Sequence, residues 1–205
     1  MEHERAVQLL RSTGALLKGH FLLTSGNHSD AYVQCALLLA QPGVALEFME
    51  DIARFVSTFD VDTIVAPAVG GILVSYEVAR LLGKKALFLE REKGAMTLRR
   101  GFHVDEGERV FVVEDVITTG GSVLEVGDTL RASGAVVTGF ASIVNRSSGR
   151  FIPVEPYYAC VEMEVPIYVP ERCPLCAEHL PLVKPGSRKS TTGRGATLED
   201  ETTQH

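Results

Sequence analysis

The stretch VFVVEDVITTGGSV at residues 110–123 constrains this chain more than any other. Its near-continuous apolar run is what a strand covered on both faces requires. That strand delivers two adjacent carboxylates, Glu114 and Asp115, at its carboxyl end, and TTGGS then leads straight into a helix. Charge at the end of a buried strand is costly unless it is used. Backbone N–H groups around Gly120 and Gly121, a helix N-terminus and the hydroxyls of Thr118, Thr119 and Ser122 form a concave donor set suited to a phosphate monoester. The paired carboxylates suit a polyhydroxylated group beside that phosphate, such as a ribose diol, with Mg2+ nearby. The plainer alternative is a strand-to-helix turn in which Ser122 caps the helix. Neither G-x-x-x-x-G-K-[ST] nor G-x-G-x-x-G occurs, so nucleoside triphosphate and dinucleotide readings lose their main support.

Periodicity on either side of this loop predicts an α/β fold. Strands are expected over 63–66, 85–90, 109–114 and 135–145, and helices over 71–82 and 121–133. Alternation of this kind makes a mostly parallel central sheet, with right-handed crossovers and helices on both faces. Ligands in such folds sit at the carboxyl ends of the strands, where the unusual loops of this chain fall. Upstream, apolar residues at helical spacing predict a helix over residues 2–17, and 19–34 reads as two short strands joined by a polar turn. Pro42 suits the first turn of a helix burying Leu46, Met49, Ile52, Ala53 and Val56.

Composition excludes several classes. With 20 basic and 26 acidic residues the formal charge is −6, which argues against nucleic acid or an anionic membrane as partner. The N-terminal residues are charged and lack an apolar core, and no run of about 18 apolar residues occurs. A cytoplasmic location is expected. The reading is one domain over 1–186, with a core over about 41–154, a small hood from about 1–40 and 155–186, and a disordered polar tail over 187–205.

The stretch from Val112 to Ser122 resembles the phosphoribosyl-pyrophosphate (PRPP) signature of the type I phosphoribosyltransferases. FLLTSGNHSDAYV at 21–33, PAVGGI at 67–72, EREKGAMTLRRGF at 90–102 and IVNR at 143–146 extend the likeness to the orotate-specific branch. The resemblance implies a type I phosphoribosyltransferase fold and transfer of phosphoribosyl from PRPP to orotate, with Mg2+ as cofactor. It implies that Glu114 and Asp115 hold the ribose hydroxyls and that Thr118, Thr119, Gly120, Gly121 and Ser122 grip the 5′-phosphate. Val69, Gly70 and Gly71 would then lie against the diphosphate.

Arg91, with Lys93, Arg99 and Arg100, corresponds to a catalytic loop that in this family closes over the neighbouring subunit's site, which implies a homodimer. Seen alone, such a cationic segment is a solvated hairpin. Arg146 falls where the family recognises the orotate carboxylate, with Thr118 nearby, and Tyr32 where an aromatic ring covers the pyrimidine. Thr24 and Gly70 stand where better-known members carry lysine, so other cations must do that work. Two rivals remain. A purine phosphoribosyltransferase shares the ribose-phosphate half but has no use for Arg146. A non-catalytic PRPP-binding regulator would want a DNA-binding domain or a basic face.

Four cysteines are too few for a disulfide scaffold. Cys173 and Cys176 have the spacing of a zinc knuckle but supply only two of the four ligands a structural site needs. Cys160 and His179 would complete it if the fold brought them together; otherwise the motif is a turn with buried thiols. Cys35 sits in an apolar run and reads as core.

Overall fold

Alternate residues of the central strands face opposite ways, and both ways are apolar. Ile64 and Ala66 join one core cluster while Val65 joins the other, and Phe111 and Val113 are likewise divided from Val110 and Val112. A sheet with this pattern must be covered on both faces. The computed structural model, which describes residues 1–185, shows that it is.

The chain runs α1 (His3–Ser12), β1 (Leu16–Leu22), β2 (His28–Val33), α2 (Cys35–Leu39), α3 (Pro42–Val56), β3 (Thr63–Pro67), α4 (Gly71–Leu82), β4 (Lys85–Glu92) and β5 (Ala95–Leu98). It continues as β6 (Arg109–Ile117), α5 (Gly121–Ala132), β7 (Val136–Asn145), β8 (Tyr157–Glu162), a short 3-10 turn, α6 (Pro174–Ala177) and β9 (Leu182–Val183). The large sheet has the order β5-β4-β3-β6-β7-β8 and is parallel except at its β5 edge. Residues of α1, α3 and α4 pack on one face, and Val123, Val126 and Leu130 of α5 on the other. A small second sheet, β2-β1-β9, is built from the two ends of the described chain.

Three sequence expectations are corrected. The first helix stops at Ser12 rather than continuing to 17, because the Thr13 hydroxyl turns back onto the Leu9 carbonyl at 2.8 Å and Leu16 and Leu17 pair with Val33 and Tyr32 as strand. Helical spacing placed those two leucines on the helix stripe, but ladder pairing with β2 prevails. Segment 155–186 does not all go to the hood. β8 lies in the large sheet beside β7, and the Tyr158 hydroxyl donates to the Asp51 carboxylate on α3. β6 runs to Ile117, so Glu114 and Asp115 lie within a strand that is paired to β7 on one side only beyond Val112. The expected tail at 187–205 lies outside the described residues.

Candidate active site

β3 leaves the sheet after Pro67 while β6 continues, and the gap between them exposes the carboxylates of Glu114 and Asp115 to the loop 68–70. The Ala68–Val69 peptide is cis, and Val69 is 81% exposed at the lip of this gap. A Cβ on Gly70 would lie 2.2 Å from Asp115 Oδ2, so only glycine lets this carboxylate approach the loop. The same contact explains why no lysine stands at 70 in this conformation. At the next residue, a Cβ on Gly71 would meet Ala66 at 2.8 Å and Glu114 Oε1 at 3.1 Å.

Glu114 is only 9% exposed, and burial first, then the neighbouring Asp115 charge, pushes its carboxyl well above the usual carboxylate range. Its Oε1 accepts the Asp115 N–H at 3.0 Å, and Asp115 Oδ1 accepts the Val116 N–H at 2.7 Å. These bonds aim the pair out of the strand.

Beyond them the chain wraps a small concave cup lined by Glu114 and residues 116–123. Gly120 has φ +82, a left-handed conformation, and a Cβ there would lie 2.2 Å from the Phe151 ring. Glycine is therefore required both by dihedral and by space. Gly121 opens α5, so the first N–H groups of a twelve-residue helix face the cup. The expected phosphate residues Thr118, Thr119, Gly120, Gly121 and Ser122 thus converge with Glu114 on one cup. The larger depression around Asp62, Lys85 and Glu108 lies at the opposite, amino ends of the strands.

Arg146 follows β7 immediately and is held through its backbone N–H to the Ile117 carbonyl at 2.9 Å, next to Thr118. Its guanidinium lies 5.8 Å from the Tyr32 ring centroid, which brings the expected base-binding pair together. Arg146 Nε is buried with no hydrogen-bond partner among the described residues. Burial pulls its pKa down from the ordinary arginine value. A half-buried cation with an idle donor is costly unless an anion completes it.

The four cations of 91–100 lie elsewhere. Arg91 and Lys93 belong to a β-hairpin, β4–β5, whose tip is Lys93 and Gly94, both with positive φ as a two-residue hairpin turn requires, and Arg99 and Arg100 follow its second strand. Arg91 pairs with Glu125 of α5, Arg99 with Glu92 and Arg100 with Glu90. Lys93 has no ion pair among the described residues, and none of the four lines the cup. The sequence offered a hairpin only as the plainer alternative to a catalytic loop, and the hairpin is the form seen. Its tether, Glu125, was missed because it looks like any exposed helix acid.

Cys35 is core, 2% exposed, as expected. Its Sγ lies 3.8 Å from the Asp115 carbonyl, and burial followed by the two site carboxylates raises its pKa well above normal. Cys160 and His179 do not join Cys173 and Cys176: the Cys160 thiol faces the Phe48 carbonyl at 3.7 Å, and His20 and His28 of the small sheet take the places beside the C-x-x-C pair. Sequence spacing gave no hint of this, since the histidines lie about 150 residues upstream.

The "Phosphoribosyl transferase domain" family model matches residues 38–173. An orotate phosphoribosyltransferase of Caldanaerobacter subterraneus subsp. tengcongensis is 47% identical over 189 residues, covering 92% of this chain and all of that protein. One from Pelotomaculum thermopropionicum is 50% identical over the same coverage. Among solved structures, orotate phosphoribosyltransferase from Aeropyrum pernix superposes with TM-score 0.64 at 25% identity, covering 76% of this chain and 92% of that one. The architecture is thus the type I phosphoribosyltransferase fold, and the chain belongs to the orotate phosphoribosyltransferase family.

Proposed function

We propose that this chain transfers the 5-phosphoribosyl group of PRPP to orotate, releasing pyrophosphate and forming orotidine 5′-phosphate in pyrimidine biosynthesis. The observation that carries this reading is Arg146: a half-buried guanidinium beside the Tyr32 ring, with Nε unpartnered among the described residues. A planar anion carrying a carboxylate satisfies both groups at once. A purine has no carboxylate to offer and would leave that donor idle.

On this reading the cup of 118–122 holds the 5′-phosphate through backbone N–H groups and hydroxyls, while Glu114 and Asp115 accept from the ribose diol. The Val69–Gly71 backbone lies against the diphosphate. Breaking the anomeric C–O bond leaves an oxocarbenium-like ribose centre, which the adjacent carboxylates stabilise electrostatically. The orotate ring nitrogen forms its bond to the anomeric carbon and gives up its proton, which the departing pyrophosphate accepts, so no protein side chain is obligatory as general base. The leaving pyrophosphate takes the electron pair of the broken bond. Positioning and exclusion of water then account for most of the acceleration.

The donor set fits Mg2+: two carboxylates, one set close against the Gly70 backbone, offer hard oxygen ligands. Asp115, together with substrate oxygens, would hold the ion, which when bound offsets the charge of the pyrophosphate. Arg91, Lys93, Arg99 and Arg100 serve the same end when the hairpin closes, and in a homodimer the hairpin closes over the neighbouring subunit's site. The enzyme works in the cytoplasm as a single domain.

Orotate, adenine, guanine and xanthine offered side by side with PRPP should give product with orotate alone. Arg146→Ala should raise KM for orotate roughly 10- to 100-fold, the loss of one or two charge-assisted hydrogen bonds, and leave KM for PRPP within about twofold. Transfer to a purine, or an unchanged orotate KM in the variant, would overturn the reading.

A further inference from the structure

The small sheet and the C-terminal segment meet at four side chains that the transfer reaction does not use. His20 and His28 come from the β1–β2 hairpin, and Cys173 and Cys176 from the segment that opens α6. One ligand atom from each lies within 4.8 Å of all the others. His20 Nε2 is 2.9 Å from His28 Nδ1, 3.5 Å from Cys173 Sγ and 3.7 Å from Cys176 Sγ, and Cys176 Sγ is 3.3 Å from His28 Nδ1. A zinc ion with Zn–N near 2.0–2.1 Å and Zn–S near 2.3 Å needs ligand–ligand edges of about 3.3–3.8 Å in a tetrahedron. Four of the edges here lie within a few tenths of an ångström of that range.

Hydrogen bonding alone does not account for the cluster. His20 Nδ1 donates to the Leu180 carbonyl at 2.9 Å, which leaves Nε2 as a bare acceptor with one lone pair. Three groups, His28 Nδ1, Cys173 Sγ and Cys176 Sγ, then crowd that single lone pair. A cation at their centre resolves the conflict, because every atom in the cluster becomes a ligand. The His20–Leu180 bond is then the outer contact that fixes the tautomer and orients the ring.

The packing makes the same demand. From residue 166 to 185, Cys173 is the one buried side chain. α6 has four residues and β9 two, so apolar burial is small and the segment meets the hairpin chiefly through backbone pairing, Leu182 and Val183 with His20 and Phe21 and the bridge between Tyr168 and His28. We propose that His20 Nε2, His28 Nδ1, Cys173 Sγ and Cys176 Sγ bind one zinc ion as a structural His2Cys2 site that fastens the C-terminal segment to the β1–β2 hairpin. Two thiolates and two imidazoles select zinc over hard cations such as Mg2+. With all four positions filled by protein, the site holds no water to activate and its role is structural.

The test uses the full untagged chain purified from zinc-supplemented cells and dialysed against metal-free buffer. Elemental analysis should find one zinc per chain, and zinc should be released in step with mercurial titration of two thiols. Chain stripped by a chelator and titrated with Co2+ should develop thiolate-to-cobalt charge-transfer and tetrahedral d–d absorption. Cys176→Ser, at the solvent edge of the cluster, should lower zinc retention at least about tenfold, and Cys160→Ser should leave it unchanged. If Cys176→Ser does not fold, the cobalt spectrum of the unaltered chain decides. Less than a tenth of an equivalent of zinc together with no tetrahedral cobalt spectrum, or a Cys173–Cys176 disulfide in freshly purified chain, would overturn the proposal.

Discussion

Glu114 is in a poor position for a carboxylate in the free protein. Burial and the adjacent Asp115 raise its pKa well above 4.5, so the folded chain keeps a proton that the unfolded chain has lost. The folded state therefore binds more protons, and stability falls as pH rises from about 4.5 through the folded pKa. Glu114→Gln removes that slope. Thermal melts of the free variant should vary less with pH over this window and lie a few degrees above the parent at neutral pH, while PRPP affinity falls about tenfold or more through loss of a carboxyl that can ionise against the ribose hydroxyls. A variant with parental pH dependence and parental PRPP affinity would show that Glu114 carries neither role. Gly70 and Gly120 illustrate the same scale from the other side, since each is a place where a Cβ would meet an atom at 2.2 Å.

Among the elements, the β4–β5 hairpin lies at the edge of the large sheet. It adds four paired positions at the edge of the sheet, and Glu125 of α5 holds it by accepting from Arg91 and from the Met96 N–H, the latter at 2.8 Å. The Arg91 hydrogen bond first, then the Met96 N–H, depresses the Glu125 pKa below the ordinary glutamate value. That contact is present above about 4.5 and is lost as pH falls through the depressed value, and screening by solvent keeps it modest. Glu125→Gln should speed amide exchange at 93–98 by about threefold to tenfold, leaving that of β6 unchanged. Equal exchange in both proteins would mean that the ladder alone holds the hairpin.

The central strands and helices between Asp62 and Asn145 were legible because both faces of their strands are apolar and glycine or charged residues end each run, so 71–82 matches α4 residue for residue, whereas β5 and β8 were not anticipated. α1 was overextended because Leu16 and Leu17 satisfy helical and strand periods alike, and only pairing with Tyr32 and Val33 decides between them. The candidate site was legible where it is local, at 114–122 and Arg146. It was not legible where a residue's meaning depends on a distant partner, as with Arg91 and Glu125.

At the scale of the whole molecule, the cup and the cationic hairpin are separate within one chain, since each hairpin arginine is paired with a carboxylate and none lines the cup. The homodimer proposed above, with hairpins exchanged between subunits, would resolve this, and a mixing experiment tests it. Arg91→Ala and Asp115→Ala should each cut turnover at least about a hundredfold. Equal amounts of the two, mixed under conditions that allow subunit exchange, should regain about a quarter of parental activity, because half the dimers are mixed and each holds one intact site. No recovery, with exchange verified by mass, would place the hairpin over its own chain's site.

What the sequence determined by itself was everything encoded at short range. The doubly covered strands, the carboxylate pair, the glycine-rich loop after β6 and the arginine after β7 are all written in runs of a dozen residues or fewer, where local sterics and periodicity leave little freedom. Only the tertiary structure placed β8 in the large sheet, tied Arg91 to Glu125, brought Tyr32 over Arg146 and assembled His20, His28, Cys173 and Cys176. Each of these joins residues from distant parts of the chain, and their meeting depends on how strands order within the two sheets, which no local pattern states.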